Sequence, residues 1–350
     1  MSAHPAPTAR TRITIDDVAR EAGVSKATVS RVLNRRGELM SPELAARVQE
    51  AITRLGYAPS PMAQALKRGR SRLIGLVVAD VANPFSVAVM QGAERVCRAA
   101  GYMLMLYNLA GDEGREREAI TALASYQVEG FILHTLGRER QVLDDALQRN
   151  KPIVLVDRAL DAPLDLVGLD NAQAVPLALD HLLQQGWNEL LFVTEPIQSA
   201  TSREERRAAF TAYTSAQAAQ CRGQGVEVPA GDDATLDAAL RALLQRAGDD
   251  ARRPAVLAVN AVVGLRIAAA AKCLGCTLGR ELGLVTFDET DWAPLVGPGI
   301  TTLAQPTDDI GQQAARCLIE RLENPGQATQ PRRFRLPARL LARGSSQREG

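Results

Sequence analysis

Several features that mark membrane proteins and exported proteins are missing from this chain of 350 residues. No run of about 18 apolar residues occurs, the length that a helix needs to cross a bilayer, so we expect neither a membrane span nor a membrane partner. Residues 1–12 contain no apolar core of the kind found in signal peptides. We therefore expect them to form a disordered arm, and we expect the protein to be cytoplasmic.

Residues that carry catalysis and metal binding are also scarce. The chain has three histidines (His4, His134 and His181) and shows neither a nucleophile–base set nor a Gly-rich phosphate loop, so we expect no catalytic residues and no enzyme activity. Its five cysteines are scattered and odd in number, which favours reduced thiols. Cys273 and Cys276 have the spacing of a metal or redox pair, but no second pair completes a zinc site. We expect a helix end there, no metal and no cofactor.

Basic residues are unevenly distributed along the chain. The length suggests two or three domains, and an apolar fraction of 46% is enough to build their cores. Residues 1–72 contain 13 of the 41 basic residues but only 6 of the 40 acidic residues, which gives this segment a charge of +7 and the remainder a charge of −6. A basic head on an acidic body indicates a nucleic-acid contact that is confined to one end of the chain.

The segment Ile13 to Asn34 has the pattern of two short helices joined by a tight turn. Thr14, followed three residues later by Asp17, forms a capping-box pattern at the start of the first helix. Gly23 can take the positive φ that a sharp turn between helices needs, and Ser25 can cap the second helix. This is the helix-turn-helix pattern, in which the second helix lies in the major groove of DNA. A small amphipathic helix pair inside a larger domain is the alternative.

The second helix of this segment turns its apolar residues inward and its polar residues outward. Val29, Val32 and Leu33 fall on the inner face. Lys26 and Arg31 can reach base edges and phosphates from the outer face. The predicted DNA-binding residues of the segment are Thr14, Ser25, Lys26, Ala27, Thr28, Ser30, Arg31 and Asn34.

A third helix, which begins with the cap Ser41 and Pro42, is followed by a short basic segment. Residues 17–34 read DVAREAGVSKATVSRVLN, residues 55–60 read LGYAPS and residues 62–78 read MAQALKRGRSRLIGLVV. In order and spacing these segments resemble the head and hinge of the lactose repressor and purine repressor (LacI/GalR) family, and the similarity continues to the C-terminal end. The resemblance implies an all-α helix-turn-helix head and an α/β body like that of periplasmic binding proteins, with two doubly wound subdomains.

The residues between the head and the body resemble the family's hinge helix. Met62 to Leu66 is too short to be a stable helix alone, so we expect it to order only against a dimer mate and DNA. By resemblance, Met62 and Leu66 bind DNA, and the leucine inserts into the minor groove. No leucine heptad follows Arg332, which favours a homodimer over a tetramer. Two heads related by a twofold axis predict a palindromic double-stranded DNA operator.

From Arg72 onward, apolar runs of strand length alternate with helical patterns, which predicts parallel sheets covered by helices on both faces. The stretch from Gln217 to Gly231 is poorly patterned and has no aromatic residue, so ring stacking on a ligand is expected to be weak. The resemblance divides the chain into a helix-turn-helix domain, a hinge with its linker, an N-terminal subdomain and a C-terminal subdomain. Their expected bounds are, in that order, 13–59, 60–71, 72–169 plus 304–333, and 170–303 plus 334–343.

Polar residues follow several of the predicted strands, at the edge where parallel sheets bind ligands. Carboxylate and amide oxygens accept from hydroxyls, and arginine can hold a carboxylate in a bidentate fashion, so such a set suits a sugar or a sugar acid. By resemblance and position, the predicted effector-binding residues are Phe85, Ser86, Asp157, Arg158, Arg206, Asn260, Asp288 and Gln305. His134, which follows the third predicted strand, could also touch the ligand. Alternatively, Asn260 caps a helix, Asp288 caps a loop, Gln305 is a plain crossover residue and His134 is a buried or cleft-edge histidine.

The resemblance predicts a transcriptional repressor of a carbohydrate catabolic operon. A small sugar or sugar acid would bind the cleft and release the repressor from its operator. The overall pattern is most similar to repressors of 2-ketogluconate catabolism, and Arg158 is the extra cation that favours an acid. The alternatives are a regulator of the purine type that needs a co-repressor, and a sugar-binding protein that does not bind DNA. The basic head argues against the second alternative.

Overall fold

The computed structural model of the chain describes residues 13–33, 40–58, 70–137, 140–198, 200–326 and 330–347. It divides the chain into two compact units, residues 1–71 and residues 72–350. The predictions for Asn34, Met62 and Leu66, and for the arm 1–12, lie outside the described residues. In the described part of the chain, no helix is long and apolar enough to span a membrane.

The described residues of the first unit form three helices, α1 (Ile15–Ala22), α2 (Lys26–Leu33) and α3 (Pro42–Leu55). The capping box forms, because Asp17 Oδ2 accepts from both the backbone N–H and the hydroxyl of Thr14, at 2.9 and 2.7 Å. Gly23 ends α1 with a φ of 64°, a left-handed conformation that a residue without a Cβ adopts at little cost. The helices pack around a small core whose fully buried residues are Val18, Ala19, Ala22, Val29, Val48 and Ala51.

The second unit consists of two sheets covered by helices. The elements up to its first crossover are β1 (Leu73–Val78), α4 (Pro84–Ala99), β2 (Met103–Asn108), α5 (Arg115–Ser125), β3 (Gly130–Leu133), α6 (Asp144–Gln148), β4 (Ile153–Val156) and β5 (Asp165–Leu169). The elements that follow are α7 (Asn171–Gln184), β6 (Glu189–Thr194), α8 (Thr201–Ala216), β7 (Arg222–Glu227), α9 (Asp233–Asp249), β8 (Pro254–Ala258), α10 (Ala261–Cys273), β9 (Gly283–Phe287), β10 (Thr301–Ala304), α11 (Thr307–Glu323), β11 (Arg333–Leu336) and β12 (Arg339–Leu341). Short 3₁₀ turns span Arg140–Leu143 and Ala293–Leu295.

Each sheet has six strands, and their pairing confirms the doubly wound α/β class. The first sheet has the order β11-β5-β4-β3-β1-β2, and all its pairs are parallel. The second has the order β12-β10-β9-β8-β6-β7, with only β12 antiparallel to its neighbour. The central strands are buried along their length because helices cover both faces. The carboxyl ends of strands from both sheets border one cleft.

The chain crosses for the last time from the first sheet to the second at a later residue than the boundary predicted between residues 333 and 334. Strand β11 pairs in parallel with β5, so Phe334, Arg335 and Leu336 belong to the first sheet. Only β12 pairs with β10 in the second sheet. The chain leaves the first sheet at Pro337, which has no N–H with which to extend the ladder. The predicted bounds 304–333 and 334–343 therefore place three residues of β11 in the wrong subdomain.

Strand β7 lies between Gln217 and Gly231, the stretch for which the sequence pattern predicted no helix or strand. Its residues, Arg222 to Glu227, pair in parallel with β6 at the edge of the second sheet. Most of them are exposed, so neither face selects apolar residues and the alternation that marks a half-buried strand is lost. The backbone of β7 pairs with β6 although the side chains of β7 give no sequence signal of a strand.

Helices α4 and α11 approach each other closely on one face of the first sheet. A Cβ on Gly92 would overlap the carbonyl oxygen of Asp308, and a Cβ on Gly311 would overlap that of Val89. Glycine is required at both positions because the two backbones are in contact. Since α11 begins directly after β10, this packing fixes where the chain re-enters the first sheet and holds one wall of the cleft.

Candidate functional site

A small cavity opens at the carboxyl ends of the strands, between the two sheets of the second unit. Residues that follow β1, β3, β4, β6, β8, β9 and β10 form its wall. They are Asn83, Phe85, His134, Asp157, Arg158, Ser202, Arg203, Arg206, Val259, Asn260, Asp288 and Gln305. Most carry polar groups, so the cavity suits a hydrophilic ligand that makes many hydrogen bonds.

Arg206 is the best-anchored side chain in the cavity and is only 5% exposed. Its Nε donates to Asn171 Oδ1 at 2.8 Å, and its Nη1 donates to the Val259 carbonyl at 2.6 Å. The guanidinium lies 3.9 Å from the ring centre of Phe287. Burial lowers the pKa of Arg206, and the nearby carboxylates of Asp157 and Asp288 counteract that effect. The cation is therefore held rigidly between two acids.

Asp157 lies directly after β4 with a φ of 64°, a strained conformation for a residue with a Cβ. Its Oδ2 accepts from the Ser202 hydroxyl at 2.8 Å. Burial acts to raise the pKa of Asp157, but the contact with His134 and the positive charges of Arg206 and Arg158 hold it below its ordinary value. Asp157 is therefore an ionised acceptor in the cavity.

Asp288 follows β9, also with positive φ (72°). Its Oδ2 accepts from the Ala261 N–H at 3.3 Å, and its Oδ1 accepts from Gln305 Nε2 at 2.6 Å. Burial raises the pKa of Asp288, and Arg206 opposes the rise. Gln305 Oε1 is buried without a hydrogen-bond partner, so an acceptor remains for a ligand hydroxyl.

Asn260 has two structural partners while it lines the cavity. Its Oδ1 caps α10 by accepting from the Val263 N–H at 2.9 Å. Its Nδ2 donates to Glu195 Oε2 at 2.7 Å, and that oxygen also accepts from Arg203 Nη2 at 2.5 Å. The helix-capping alternative for Asn260 is therefore realised in the structure, together with its position in the cavity wall.

His134 and Arg158 bring buried nitrogen atoms without partners into the cavity. His134 is 5% exposed, its ring packs edge-on against Phe85 at 5.4 Å, and neither ring nitrogen has a hydrogen-bond partner among the described residues. Burial lowers the pKa of His134, so the imidazole is neutral at pH 7. Arg158 is 8% exposed; its Nη1 donates to the Thr135 carbonyl at 3.2 Å, but its Nε has no partner.

The structure brings seven of the eight predicted effector residues into one cavity wall. The eighth, Ser86, is buried with its hydroxyl unpartnered and does not line the cavity. As a first-turn residue of α4, it is turned into the core. The cavity residues that the sequence analysis did not select are Asn83, His134, Ser202, Arg203 and Val259. The position of His134 after a strand was a usable signal, whereas Ser202 and Arg203 lie on α8 without a distinctive pattern.

In the first unit, the predicted DNA-binding residues form part of an accessible surface. Ser25, Lys26, Ala27 and Arg31 are exposed. The Lys26 ammonium lies 2.6 Å from Asp16 Oδ2, an exposed ion pair that phosphate contacts can replace. Three of the polar side chains make hydrogen bonds at the N-terminal ends of the helices. Thr14 donates to Asp17, and the hydroxyl groups of Ser25 and Thr28 are hydrogen bonded to each other.

Comparison with known proteins decides the family. The model of bacterial regulatory proteins of the lacI family matches residues 14–60, and the model of a periplasmic binding protein-like domain matches residues 179–346. The chain is 47% identical over 342 residues to the HTH-type transcriptional regulator PtxS of Pseudomonas aeruginosa, covering 97% of this chain and 98% of that protein. The chain belongs to the lacI family of bacterial regulatory proteins. The resemblance found in the sequence is thereby confirmed.

Other relatives and solved structures agree with this assignment. The HTH-type transcriptional regulator KdgR of Bacillus subtilis is 38% identical over 333 residues, which cover 95% of this chain and 97% of KdgR. The lac repressor dimer bound to operator superposes with a TM-score of 0.81, at 23% identity, covering 96% of this chain and all of that one. A putative ribose operon repressor from Burkholderia thailandensis gives 0.68, at 30% identity, covering 78% and 99%. The chain is a DNA-binding transcriptional regulator with an effector domain.

Proposed function

We propose that this regulator acts as a homodimeric repressor in the cytoplasm and leaves a palindromic operator when a sugar acid of the 2-ketogluconate type binds its cleft. The observation that carries the proposal is a polar cavity in a chain that also contains a helix-turn-helix unit. Its wall contains carboxyl groups, amides and arginines, and several of its buried polar atoms have no hydrogen-bond partner among the described residues. Such atoms are costly unless a ligand satisfies them.

The chemistry of the cavity favours a polyhydroxylated ligand over a purine. Apart from His134, Phe85 is the only ring among the described residues of the wall, and His134 packs against it. Phe287 is covered by the Arg206 guanidinium. No broad aromatic surface is therefore offered to a planar base, whereas Asp157, Asp288 and Gln305 offer acceptors for hydroxyl groups.

Two hydrogen bonds at the cavity connect the two sheets, so a ligand bound there can change how the sheets are arranged relative to each other. The Ser202 hydroxyl on α8 donates to Asp157, which follows β4 of the other sheet, and the Ala159 N–H donates to Thr201 Oγ1 at 2.8 Å. A ligand that binds one arrangement of these walls more tightly shifts the equilibrium toward it, by about 1–3 kcal/mol in typical allosteric proteins. We propose that the arrangement favoured by the ligand is the one that binds the operator weakly.

The test starts from operators selected by the full chain from a randomised duplex pool. We expect the selected sites to be palindromic, because twofold-related heads read two half-sites. Fluorescence anisotropy of a selected operator is then followed as 2-ketogluconate, gluconate, ribose or hypoxanthine is added. We expect release by 2-ketogluconate. Release by ribose alone would overturn the sugar-acid assignment, and tighter DNA binding with hypoxanthine would support a co-repressor mechanism instead.

A further inference from the structure

We infer that Arg158 and His134 form the subsite for the effector's carboxylate, and that they select a sugar acid over the neutral sugar of the same shape. This inference rests on the proposed function, since it assigns a role within the same cleft. It starts from the three arginines of the cavity wall, Arg158, Arg203 and Arg206, among which Arg158 makes the fewest hydrogen bonds to the described residues.

Arg206 and Arg203 are occupied by the protein itself. Arg206 donates to Asn171 and to the Val259 carbonyl, and it stacks on Phe287. Arg203 donates to the Pro196 carbonyl at 2.8 Å and to Glu195. These contacts fix the orientation of both guanidinium groups and use two nitrogens of each, whereas Arg158 has a single hydrogen bond to the described residues.

Arg158 has one hydrogen bond from Nη1 and a buried Nε without a partner. Its Nε lies 3.9 Å from Asp157 Oδ2, too far for a hydrogen bond. His134 Nε2 lies 3.5 Å from the same oxygen and is also unpartnered. Both nitrogens approach this Asp157 oxygen from outside hydrogen-bonding distance, so each keeps a donor from which a ligand carboxylate in the cavity can accept. Both side chains are more than nine-tenths buried, so water replaces the ligand poorly.

The charged groups of the cavity wall leave a net positive charge that a ligand anion can neutralise. Glu195 neutralises Arg203, and Asp157 is shared by Arg206 and Arg158. Asp288 lies near Arg206, but burial favours its neutral form. A ligand carboxylate beside Arg158 balances the remaining positive charge. If Arg158 served only as a counter-ion for Asp157, its removal would weaken acids and neutral sugars alike, which separates the two roles experimentally.

Two pairs of ligands, each an acid and the alcohol with the same carbon skeleton, isolate the contribution of the carboxylate to binding. Fructose is 2-ketogluconate with its carboxylate reduced to an alcohol, and sorbitol stands in the same relation to gluconate. Isothermal titration calorimetry of the full chain with each pair gives an acid-to-neutral preference. We expect a preference for the acid in the wild-type chain. In Arg158→Gln it should fall by about 10- to 100-fold, the range for a charge-assisted hydrogen bond, with little change for the neutral partner.

Three further variants guard against loss of folding and general damage to the cleft. Arg158→Lys keeps the charge and should lose less of the preference than Arg158→Gln. His134→Phe removes the ring nitrogens but keeps an aromatic contact with Phe85, so it should also lower the preference. Gln305→Met removes an amide of the same cleft at similar volume and should weaken acid and alcohol equally.

Three outcomes overturn the inference. An unchanged preference in Arg158→Gln, with 2-ketogluconate still bound, overturns the subsite but leaves the proposed effector class intact. Failure of the wild-type chain to bind either acid overturns the subsite and the proposed effector class together. A larger loss of preference in Gln305→Met than in Arg158→Gln assigns the carboxylate to the opposite wall and also contradicts the inference.

Discussion

Replacing Arg206 with methionine should destabilise the effector domain strongly and in a pH-dependent way. The variant keeps much of the apolar stem but loses hydrogen bonds to Asn171 and Val259, and it leaves Asp157 and Asp288 buried without their shared cation. Breaking a buried ion pair by removing one partner costs about 3–5 kcal/mol, and we expect a loss in that range at pH 8.

The pH dependence follows from Asp288. Its pKa is already raised by burial, and Arg206 opposes the rise. Without Arg206 the folded-state pKa of Asp288 increases further, so the contribution of Asp288 to the variant's stability is fully present at low pH and is lost as pH rises through that pKa. We therefore expect a smaller loss at pH 5 than at pH 8.

Urea unfolding followed by tryptophan fluorescence measures this directly. The chain has two tryptophans, and Trp187 and Trp292 both belong to the core around the second sheet. The neighbouring variant Arg207→Met is the control, because Arg207 is exposed and pairs with the exposed Glu227, and it should change stability by less than about 0.5 kcal/mol. Equal stability losses in the two variants, or a loss in Arg206→Met that does not change between pH 5 and pH 8, would refute the reasoning.

Three more predictions concern packing, acid stability and DNA binding. Gly311→Ala should destabilise the protein by about 1–3 kcal/mol, because the new Cβ overlaps the Val89 carbonyl, while Gly248→Ala in α9 has open space and should be neutral or stabilising in the same thermal melts. Asp157→Asn should flatten the loss of melting temperature on acidification, because the depressed pKa of Asp157 gives stability that is present above about pH 4 and lost below it. Leu66→Ala should weaken operator binding in anisotropy titrations and leave effector affinity unchanged; equal operator affinity would contradict the minor-groove role.

Features set by neighbouring residues could be predicted from the sequence. Thr14 and Asp17 interact across one helical turn, and the φ at Gly23 depends on its own lack of a Cβ, so the first unit could be derived locally. The buried strands also gave clear signals, because continuous apolar runs mark strands covered on both faces. The fold class expected from these patterns is confirmed.

Other features depend on partners that are distant in the sequence. The contact between Phe85 and His134 spans two strands of the first sheet, and the hydrogen bond from Ser202 to Asp157 joins the two sheets. No spacing rule connects such residues. Strand β7 was not predicted because its side chains are mostly exposed and show no apolar–polar alternation. The boundary at Pro337 was not predicted because the consecutive strands β11 and β12 belong to different sheets. The roles of the cleft residues remain predictions.

Coupling between the cleft and the operator is the central claim, and the affinity for 2-ketogluconate with and without DNA tests it most directly. Linkage requires that the ligand and the operator weaken each other by the same factor. Calorimetric titration of 2-ketogluconate into the full chain should therefore give a dissociation constant that rises about 5- to 150-fold when the protein is saturated with its selected operator. The same dissociation constant in both titrations would show that the cleft and the DNA-binding unit are uncoupled.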